Sequence, residues 1–203
     1  MHDLLLARHG FAGSNRDDIA SCTVPGEGLT AEGVEQARAL AVALASEEIG
    51  VAMTSRLART QETLALALDG RDLPIVVAEE LDEIHFGEFD GGSLDTYRAW
   101  AAAHPPDAPP PGDGESRAQA AERFARGIRL VLARPEQRVL VVSHALAIRY
   151  VIDAASGLVP AARMSPIQHA FPYRLGRDEV ERAATLLEGW SRAAQFREPP
   201  DDG

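Results

Sequence analysis

DLLLARHG, residues 3–10, is the stretch from which the fold can be worked out. It begins with a short apolar run of the length of a buried β-strand and ends in Arg8, His9 and Gly10. A buried parallel strand brings the residues that follow it to the carboxyl edge of its sheet, where ligands bind in α/β proteins. Gly10 lets the backbone turn sharply or approach a ligand closely. The stretch therefore predicts a strand, at 3–8, that carries a guanidinium and an imidazole to a ligand-binding edge.

Apolar runs and amphipathic segments alternate along the rest of the chain. Further strands are predicted at 51–55, 73–79, 138–143 and 170–175, and helices at 29–48, 58–68, 94–103, 117–133, 144–156 and 178–190. Strands that alternate with helices are typical of parallel sheets. We therefore expect an α/β fold, a three-layer sandwich with a mainly parallel central sheet and helices on both faces.

The composition is that of a packed domain. The chain has 203 residues, of which 45% are apolar and 25% charged, which is enough for one sizeable core. We expect a single domain over 1–203, with an inserted loop and helix segment at about 83–117 that is rich in glycine and proline. The tail EPPDDG, residues 198–203, is expected to fray.

Charge and cysteine content restrict the partners and the compartment. The formal net charge of −11 argues against nucleic acid or an anionic membrane as a partner. No apolar run reaches the roughly 18 residues of a spanning helix, and the N-terminus lacks the basic region of a signal peptide. Cys22 is the single cysteine, so no internal disulfide can form. These features favour a cytoplasmic protein, in which an anionic ligand would need a locally basic site.

Three polar stretches follow predicted strands at different points of the chain. They are Arg8–Gly10, Ser55–Arg59 and Ser143–His144. Because the carboxyl ends of parallel strands meet at one edge of a sheet, we expect these stretches to converge. The sequence therefore predicts one site that combines histidines with arginines.

These stretches lie in three of six short motifs that resemble those of the histidine phosphatase superfamily. This group includes cofactor-dependent phosphoglycerate mutase and many small-molecule phosphatases. The motifs are LARHG (6–10), GLTAEGVEQA (28–37), TSRLARTQET (54–63), LDEIHFGEFDG (81–91), GDGES (112–116) and VLVVSHA (139–145). The RHG triplet alone is a weak signal, but all six motifs occur in the family's order between about residues 4 and 150. The GDGES turn resembles that of the phosphatase branch.

The resemblance implies a set of catalytic and phosphate-binding positions. It makes His9 the residue that carries the phosphoryl group, Glu83 the proton donor and His144 the second catalytic histidine. It also implies phosphate binding by Arg8, Asn15 and Arg59.

These residue types suit the transfer of a phosphoryl group. Guanidinium groups match phosphate oxygens with planar pairs of donors and stay charged at any working pH, so we expect no metal and no cofactor. His9 can attack phosphorus only through an unprotonated ring nitrogen, and we expect its other nitrogen to donate to a backbone carbonyl. Glu83 must be protonated to act as an acid, so we expect burial and the dianionic substrate to raise its pKa.

Other side chains compete for these roles. Arg56 is the rival of Arg59 and is interpreted as a surface residue. The acidic rivals of Glu83 are Glu80, Asp82 and Glu88. His169 is retained as a candidate pocket residue. Surface or packing roles are expected for His2, His85 and His104.

The chain departs from the family pattern in two places. Phe11 follows the RHG triplet, where relatives usually have a polar residue, and Phe89 and Asp90 replace the more usual Trp-Glu pair. Both differences concern the pocket wall. Phe11 predicts an apolar wall beside the phosphate, suited to a leaving group with some non-polar surface.

The motifs favour a metal-independent phosphatase that hydrolyses a small phosphate monoester through a phosphohistidine, with a small phosphorylated metabolite as its partner. The alternatives are phosphotransfer of the phosphoglycerate mutase type and a catalytically silent relative that binds a phosphorylated ligand. Mutases of the family carry extra cations, whereas here Ile84 follows Glu83, and Arg98 is the only arginine in residues 81–116. The leaving group stays open, as does the oligomeric state, with a homodimer among the alternatives.

Overall fold

A five-stranded sheet runs through the centre of the computed structural model, which describes residues 1–197. Its strands are β1 (Asp3–Arg8), β2 (Val51–Thr54), β3 (Ile75–Val77), β4 (Arg138–Ser143) and β5 (Pro172–Gly176). They lie in the order β3–β2–β4–β1–β5, and β5 is antiparallel to β1 while the other pairs are parallel. The prediction of a mainly parallel sheet is confirmed.

The helices follow the predicted order, with one addition near the N-terminus. They are α1 (Gly13–Arg16), α2 (Ala31–Ala43), α3 (Ala58–Leu68), α4 (Leu94–Ala103), α5 (Arg117–Leu132), α6 (Ala145–Ala155) and α7 (Arg177–Arg192). Two short 3₁₀ turns, Glu79–Leu81 and Gly87–Phe89, lie between β3 and α4. The single turn of α1 was not predicted, because four residues are too few to show a helical period.

The second helix is shorter than the predicted span of 29–48. The hydroxyl of Thr30 caps its start by accepting from the backbone nitrogen of Gly33 at 3.1 Å. Glu47 lies on the turn after the helix, where its carboxylate contacts Arg138 at 2.6 Å and also Arg174. These ion pairs hold the turn against β4 and β5, so the chain leaves the helix before the polar run ends.

Both faces of the sheet are covered, as the alternation along β1 shows. Leu4 and Leu6 pack in one apolar cluster, whereas Leu5 and Ala7 pack in another. Residues of α5, α6 and α7 complete the first cluster, and residues of α2 and α3 complete the second. The predicted three-layer arrangement, with helices on both faces, is confirmed.

The carboxyl edge of β1, β2 and β4 carries the polar stretches. Arg8 lies opposite Ser143 in the parallel pairing of β1 with β4, and the backbone nitrogen of His9 donates to the carbonyl of Ser143 at 3.0 Å. The segment after α1 is tied to the inserted segment, since Ala20 exchanges backbone hydrogen bonds of 2.9 and 2.8 Å with Gly92 and Gly91. These bonds hold the insert at this edge, where it forms one side of a cavity.

No helix within residues 1–197 is long and apolar enough to cross a membrane. The tail that is expected to fray, 198–203, lies outside the described residues.

Candidate active site

A cavity of about 90 Å³ opens at the carboxyl edge of the sheet. Arg8 and His9 reach it from the end of β1, and Arg59 reaches it from the first turn of α3. Glu83 lines it from the inserted segment, and Arg117 from the first residue of α5. The predicted convergence of distant polar stretches is therefore observed.

His9 is buried, and its neighbours fix its ring in one tautomer. Its Nδ1 lies 2.7 Å from the carbonyl oxygen of Gly10, so Nδ1 carries the proton and donates it. The Nε of Arg59 donates to His9 Nε2 at 3.2 Å. Nε2 is therefore unprotonated, and the expected backbone partner of the other nitrogen is confirmed.

The surroundings of His9 keep its ring neutral. Burial lowers the pKa of His9 well below 6.5, and the positive charges of Arg59 and Arg8 lower it further. Nε2 consequently stays unprotonated at neutral pH, and its lone pair, which accepts from Arg59, can attack an electrophile that displaces this hydrogen bond.

The two guanidinium groups beside His9 are only partly satisfied by the protein. Arg8 Nη1 donates to the carbonyl of Ile167 at 2.9 Å, and Arg59 Nη2 donates to that of Ser21 at 2.8 Å. The Nε of Arg8 and the Nη1 of Arg59 are buried and have no partner within residues 1–197. Burial lowers the pKa of Arg8 to about 10, so this group is still charged at neutral pH. Such half-satisfied cations match the oxygens of a phosphate.

His144 lies fully buried behind His9, with a ring centroid distance of 5.3 Å. Its Nδ1 lies 3.4 Å from Arg59 Nη2 and 3.9 Å from Glu83 Oε2, and its Nε2 lies 2.9 Å from Ser55 Oγ. A guanidinium only donates, so His144 accepts at Nδ1 and carries its proton on Nε2. Burial, followed by the charge of Arg59, lowers the pKa of His144 well below 6.5. The neutral ring thus accepts from Arg59 and lies near Glu83 without a hydrogen bond to it.

Glu83 lines the cavity beside this network, with a side chain that is only 14% exposed. Its Oε1 accepts from the backbone nitrogen of Ile84 at 3.0 Å. Burial raises the pKa of Glu83 above 4.5, although the charge of Arg59 opposes the shift. The predicted rise in the pKa of Glu83 is therefore confirmed as far as burial causes it.

The rivals Arg56 and Asp82 pair with each other and do not line the cavity. The backbone nitrogen and the Nε of Arg56 donate to the two oxygens of Asp82 at 2.8 and 2.7 Å. The side chain of Arg56 is 42% exposed, and its guanidinium also contacts Glu79 at 3.3 Å. The geometry therefore favours Arg59 over Arg56 at the cavity, and Glu83 over its acidic neighbours.

Asn15 lines the cavity from α1. Its Oδ1 accepts from the backbone nitrogen of Ala12 at 3.0 Å, so its amide nitrogen is the group that can donate to a ligand. The short helix that the sequence did not reveal is what places this side chain.

His169 supports the backbone of His9 and does not line the cavity. Its Nδ1 lies 2.8 Å from the carbonyl of His9, and the two rings are 5.5 Å apart. Burial, followed by the charge of Arg8, lowers the pKa of His169 to about 4. The neutral ring therefore steadies the strand end that carries His9.

The prediction that Phe11 forms an apolar wall beside the phosphate is wrong. The backbone nitrogen of Phe11 donates to Gln36 Oε1 at 2.8 Å, and its carbonyl accepts from Thr30, which turns this residue toward the start of α2. Its ring packs edge-on against His169 at 5.4 Å. The apolar wall is formed instead by Ile19, Ile84, Phe86, Leu94, Leu146 and Met164.

Two buried arginines of α5 were missed by sequence reasoning. Arg123 binds both carboxylate oxygens of Glu115, at 2.8 and 2.6 Å, and donates to the carbonyls of Asp82 and Glu83 at 2.9 and 3.1 Å. It thereby holds the Glu83 segment in place and gives the GDGES motif a structural role. Nothing in the sequence separates Arg117 and Arg123 from the exposed arginines of the same helix.

The remaining histidines are exposed, as expected: His2, His85 and His104. Within residues 1–197, no group of three or more His, Cys, Asp or Glu side chains is arranged to hold a metal ion.

Comparison with known proteins identifies the family. The family model of the histidine phosphatase superfamily (branch 1) matches residues 4–190. The chain belongs to the histidine phosphatase superfamily. It is 33% identical over 170 residues to the adenosylcobalamin/α-ribazole phosphatase of Escherichia coli strain K12, a match that covers 79% of this chain and 82% of that protein.

Other relatives of this histidine phosphatase superfamily member have a different activity in their names. The chain is 31% identical over 204 residues to the 2,3-bisphosphoglycerate-dependent phosphoglycerate mutase of Methylobacterium radiotolerans, covering 91% of this chain and 95% of that protein. Among solved structures it resembles the α-ribazole phosphatase of Shigella flexneri, with a TM-score of 0.72 and 28% identity, covering 85% and 89% of the two chains. The comparisons thus show the family and the fold. The residues of the site have to indicate whether the protein hydrolyses a phosphate ester or transfers its phosphoryl group.

Proposed function

We propose that this protein is a metal-independent phosphatase that hydrolyses a small phosphate monoester through a phosphohistidine on His9. The observation that carries the proposal is the unprotonated Nε2 of His9 beside two guanidinium groups, each with a free buried nitrogen. A phosphate monoester carries close to two negative charges near neutral pH. Its negative charge would therefore offset the charges of Arg8 and Arg59, and its oxygens would accept from their free nitrogens.

In the first step, His9 Nε2 attacks phosphorus, and the bond from phosphorus to the leaving oxygen breaks. Arg8, Arg59 and the amide of Asn15 donate to the non-bridging oxygens, which keep their charge through the transition state. Glu83 gives its proton to the leaving oxygen. The raised pKa of Glu83 enlarges the fraction of enzyme that is ready for this step.

In the second step, water gives a proton to the Glu83 carboxylate and attacks phosphorus. The bond from phosphorus to His9 breaks, inorganic phosphate leaves, and Glu83 is again protonated. His144 lies behind His9 and does not line the cavity, and its Nδ1 accepts from Arg59. A bound dianion favours protonation of this nitrogen, so that His144 can donate to a phosphoryl oxygen.

Two features favour hydrolysis over transfer of the phosphoglycerate mutase type. Ile84, not a cation, follows Glu83, and much of the cavity wall is apolar. The cavity nevertheless contains more cations than the segment 81–116 indicates. Arg117 lies one residue beyond the segment 81–116 and also lines the cavity.

The substrate is proposed to be a small phosphorylated metabolite. The names of similar proteins make α-ribazole 5′-phosphate and 3-phosphoglycerate the first esters to test. The cytoplasmic location and the single domain over 1–203 stay predictions.

The test measures phosphate release from 4-nitrophenyl phosphate and α-ribazole 5′-phosphate in the presence of a chelator. We expect turnover that the chelator does not reduce, and an acid-labile phosphoprotein that is absent from His9→Ala. Loss of activity with the chelator and its return with a divalent ion would contradict the mechanism.

A second assay separates the alternatives. Protein is incubated with 3-phosphoglycerate and 2,3-bisphosphoglycerate, and 2-phosphoglycerate is followed against free phosphate. Isomerisation much faster than phosphate release would identify a mutase, and binding of esters without turnover of any of them would identify a silent relative.

A further inference from the structure

We propose that Arg117 and Tyr97 form a second binding point in the cavity, which takes a carboxylate carried by the leaving group. The inference rests on the proposed function, since it concerns the part of the substrate that lies beyond the phosphate. It adds two residues to the site, one from α4 and one from the start of α5.

Arg117 is a buried cation that the protein leaves incompletely satisfied. The residue is 7% exposed, and its Nε donates to Tyr150 Oη at 2.7 Å. Its guanidinium lies over the rings of Tyr150 and Phe196, at 5.4 and 5.9 Å. Its Nη2 is buried without a partner, and no ion pair among residues 1–197 includes it. The free nitrogen belongs to a side chain that lines the cavity.

Arg117 has no carboxylate partner within residues 1–197, and its charge is stabilised by aromatic side chains and the Tyr150 hydroxyl. It is the first residue of α5, where the helix dipole presents its positive end. Burial without a counter-ion adds a further cost. A bound carboxylate would offset both costs and satisfy the free nitrogen.

Tyr97 supplies a second unsatisfied donor beside Arg117. Its hydroxyl is buried and makes no close hydrogen bond, and a longer interaction with Arg117 opposes the rise that burial causes in the pKa of Tyr97. Its ring packs edge-on against Phe86 at 4.7 Å, which fixes its position in the cavity wall. The Tyr97 hydroxyl and the Arg117 guanidinium are therefore neighbouring donors with at most a long interaction between them, and both can donate to one acceptor group in the cavity.

The surrounding charges point to a carboxylate. Arg98, which also lines the cavity, is already paired with Asp95 at 2.8 Å and with Asp18 at 3.5 Å, and Arg8 is assigned to the phosphate. One guanidinium nitrogen and one hydroxyl match a monoanion, whereas a second phosphate dianion would need more donors to leave water. An adjoining groove of about 540 Å³ shares Arg117 with the cavity and gives room for the leaving group.

The test compares two ligands that cannot be hydrolysed, benzylphosphonate and 4-(phosphonomethyl)benzoate, which differ only in the carboxylate. Their dissociation constants are measured by calorimetry on the full chain, on Arg117→Met and on Tyr97→Phe. Arg126→Met is the matched control, because Arg126 lies on the same helix, is 58% exposed and makes only a 3.9 Å contact with Glu122. Tyr97→Phe keeps the ring packing, so this variant tests the inference even where Arg117→Met fails to fold.

We expect the unsubstituted protein to bind the carboxylate ligand about 10- to 100-fold more tightly than benzylphosphonate, as for one charge-assisted hydrogen bond. Arg117→Met should abolish the preference, Tyr97→Phe should reduce it several-fold, and Arg126→Met should retain it. Equal affinities in the unsubstituted protein, or an undiminished preference in either cavity variant, would overturn the inference. Turnover of benzyl phosphate is measured in parallel, so that failure of the proposed function is recognised separately.

Discussion

Replacement of Arg59 and of Arg56 by methionine should separate activity from stability. The two arginines lie three residues apart, on one segment after β2, but their side chains have different partners. Arg59 donates to His9 Nε2 and keeps a free buried nitrogen, whereas Arg56 binds the buried carboxylate of Asp82. Arg59→Met should therefore reduce turnover, and Arg56→Met should reduce stability.

The size of each effect follows from burial. Removing one partner of a buried charge pair costs about 3–5 kcal/mol, so the loss of Arg59 from the phosphate should lower kcat/KM by about 10²–10⁴-fold. For Arg56, which is 42% exposed, we discount the same cost to about 1–2 kcal/mol. In a domain of this size that lowers Tm by about 2–8 °C.

The assay measures kcat/KM for 4-nitrophenyl phosphate against pH, well below both melting temperatures, together with Tm from calorimetry. Because Arg59 helps burial to lower the pKa of His9, Arg59→Met should also move the acid limb of the profile to higher pH. Equal losses of kcat/KM in the two variants, or a loss below tenfold in Arg59→Met, would refute the assignment of Arg59 to the phosphate.

Two further predictions concern proton transfer and stability. Glu83→Gln should slow phosphate release from an alkyl phosphate by about 10²–10⁴-fold, but release from 4-nitrophenyl phosphate far less, because a good leaving group hardly needs a proton. Equal losses for the two substrates in a steady-state assay would show that Glu83 is not the acid. The pKa values of His9 and His144 lie well below 6.5 in the folded protein, so below that pH the unfolded chain binds more protons. The contribution of these neutral rings to the free energy of unfolding should thus be fully present above pH 6.5. The free energy of unfolding should fall between pH 6.5 and 5, and it should fall less steeply in His9→Phe. Denaturant titrations that show no decrease would contradict the neutral, buried state of these rings.

The sequence by itself determined the architecture and most of the proposed phosphate site. The apolar run of β1 and the strand–helix alternation predicted a parallel sheet, since the two kinds of element have different hydrophobic periods. The parallel arrangement then required Arg8, Arg59 and His144 to converge, because each follows a strand that ends at the same edge. Local pattern and chain direction were sufficient for these residues.

Only the tertiary structure decided the residues whose roles depend on packing between distant segments. The charge of Arg117 looks like that of any helix arginine, and its burial arises because α5 packs where α6 and the 196–197 region cover it. Phe11 follows the signature triplet but turns away, because its backbone is held by Gln36 and Thr30 of the second helix segment. Periodicity in one segment specifies which face it buries, but the direction of a side chain at the end of a strand or helix depends on contacts that form only when remote segments meet.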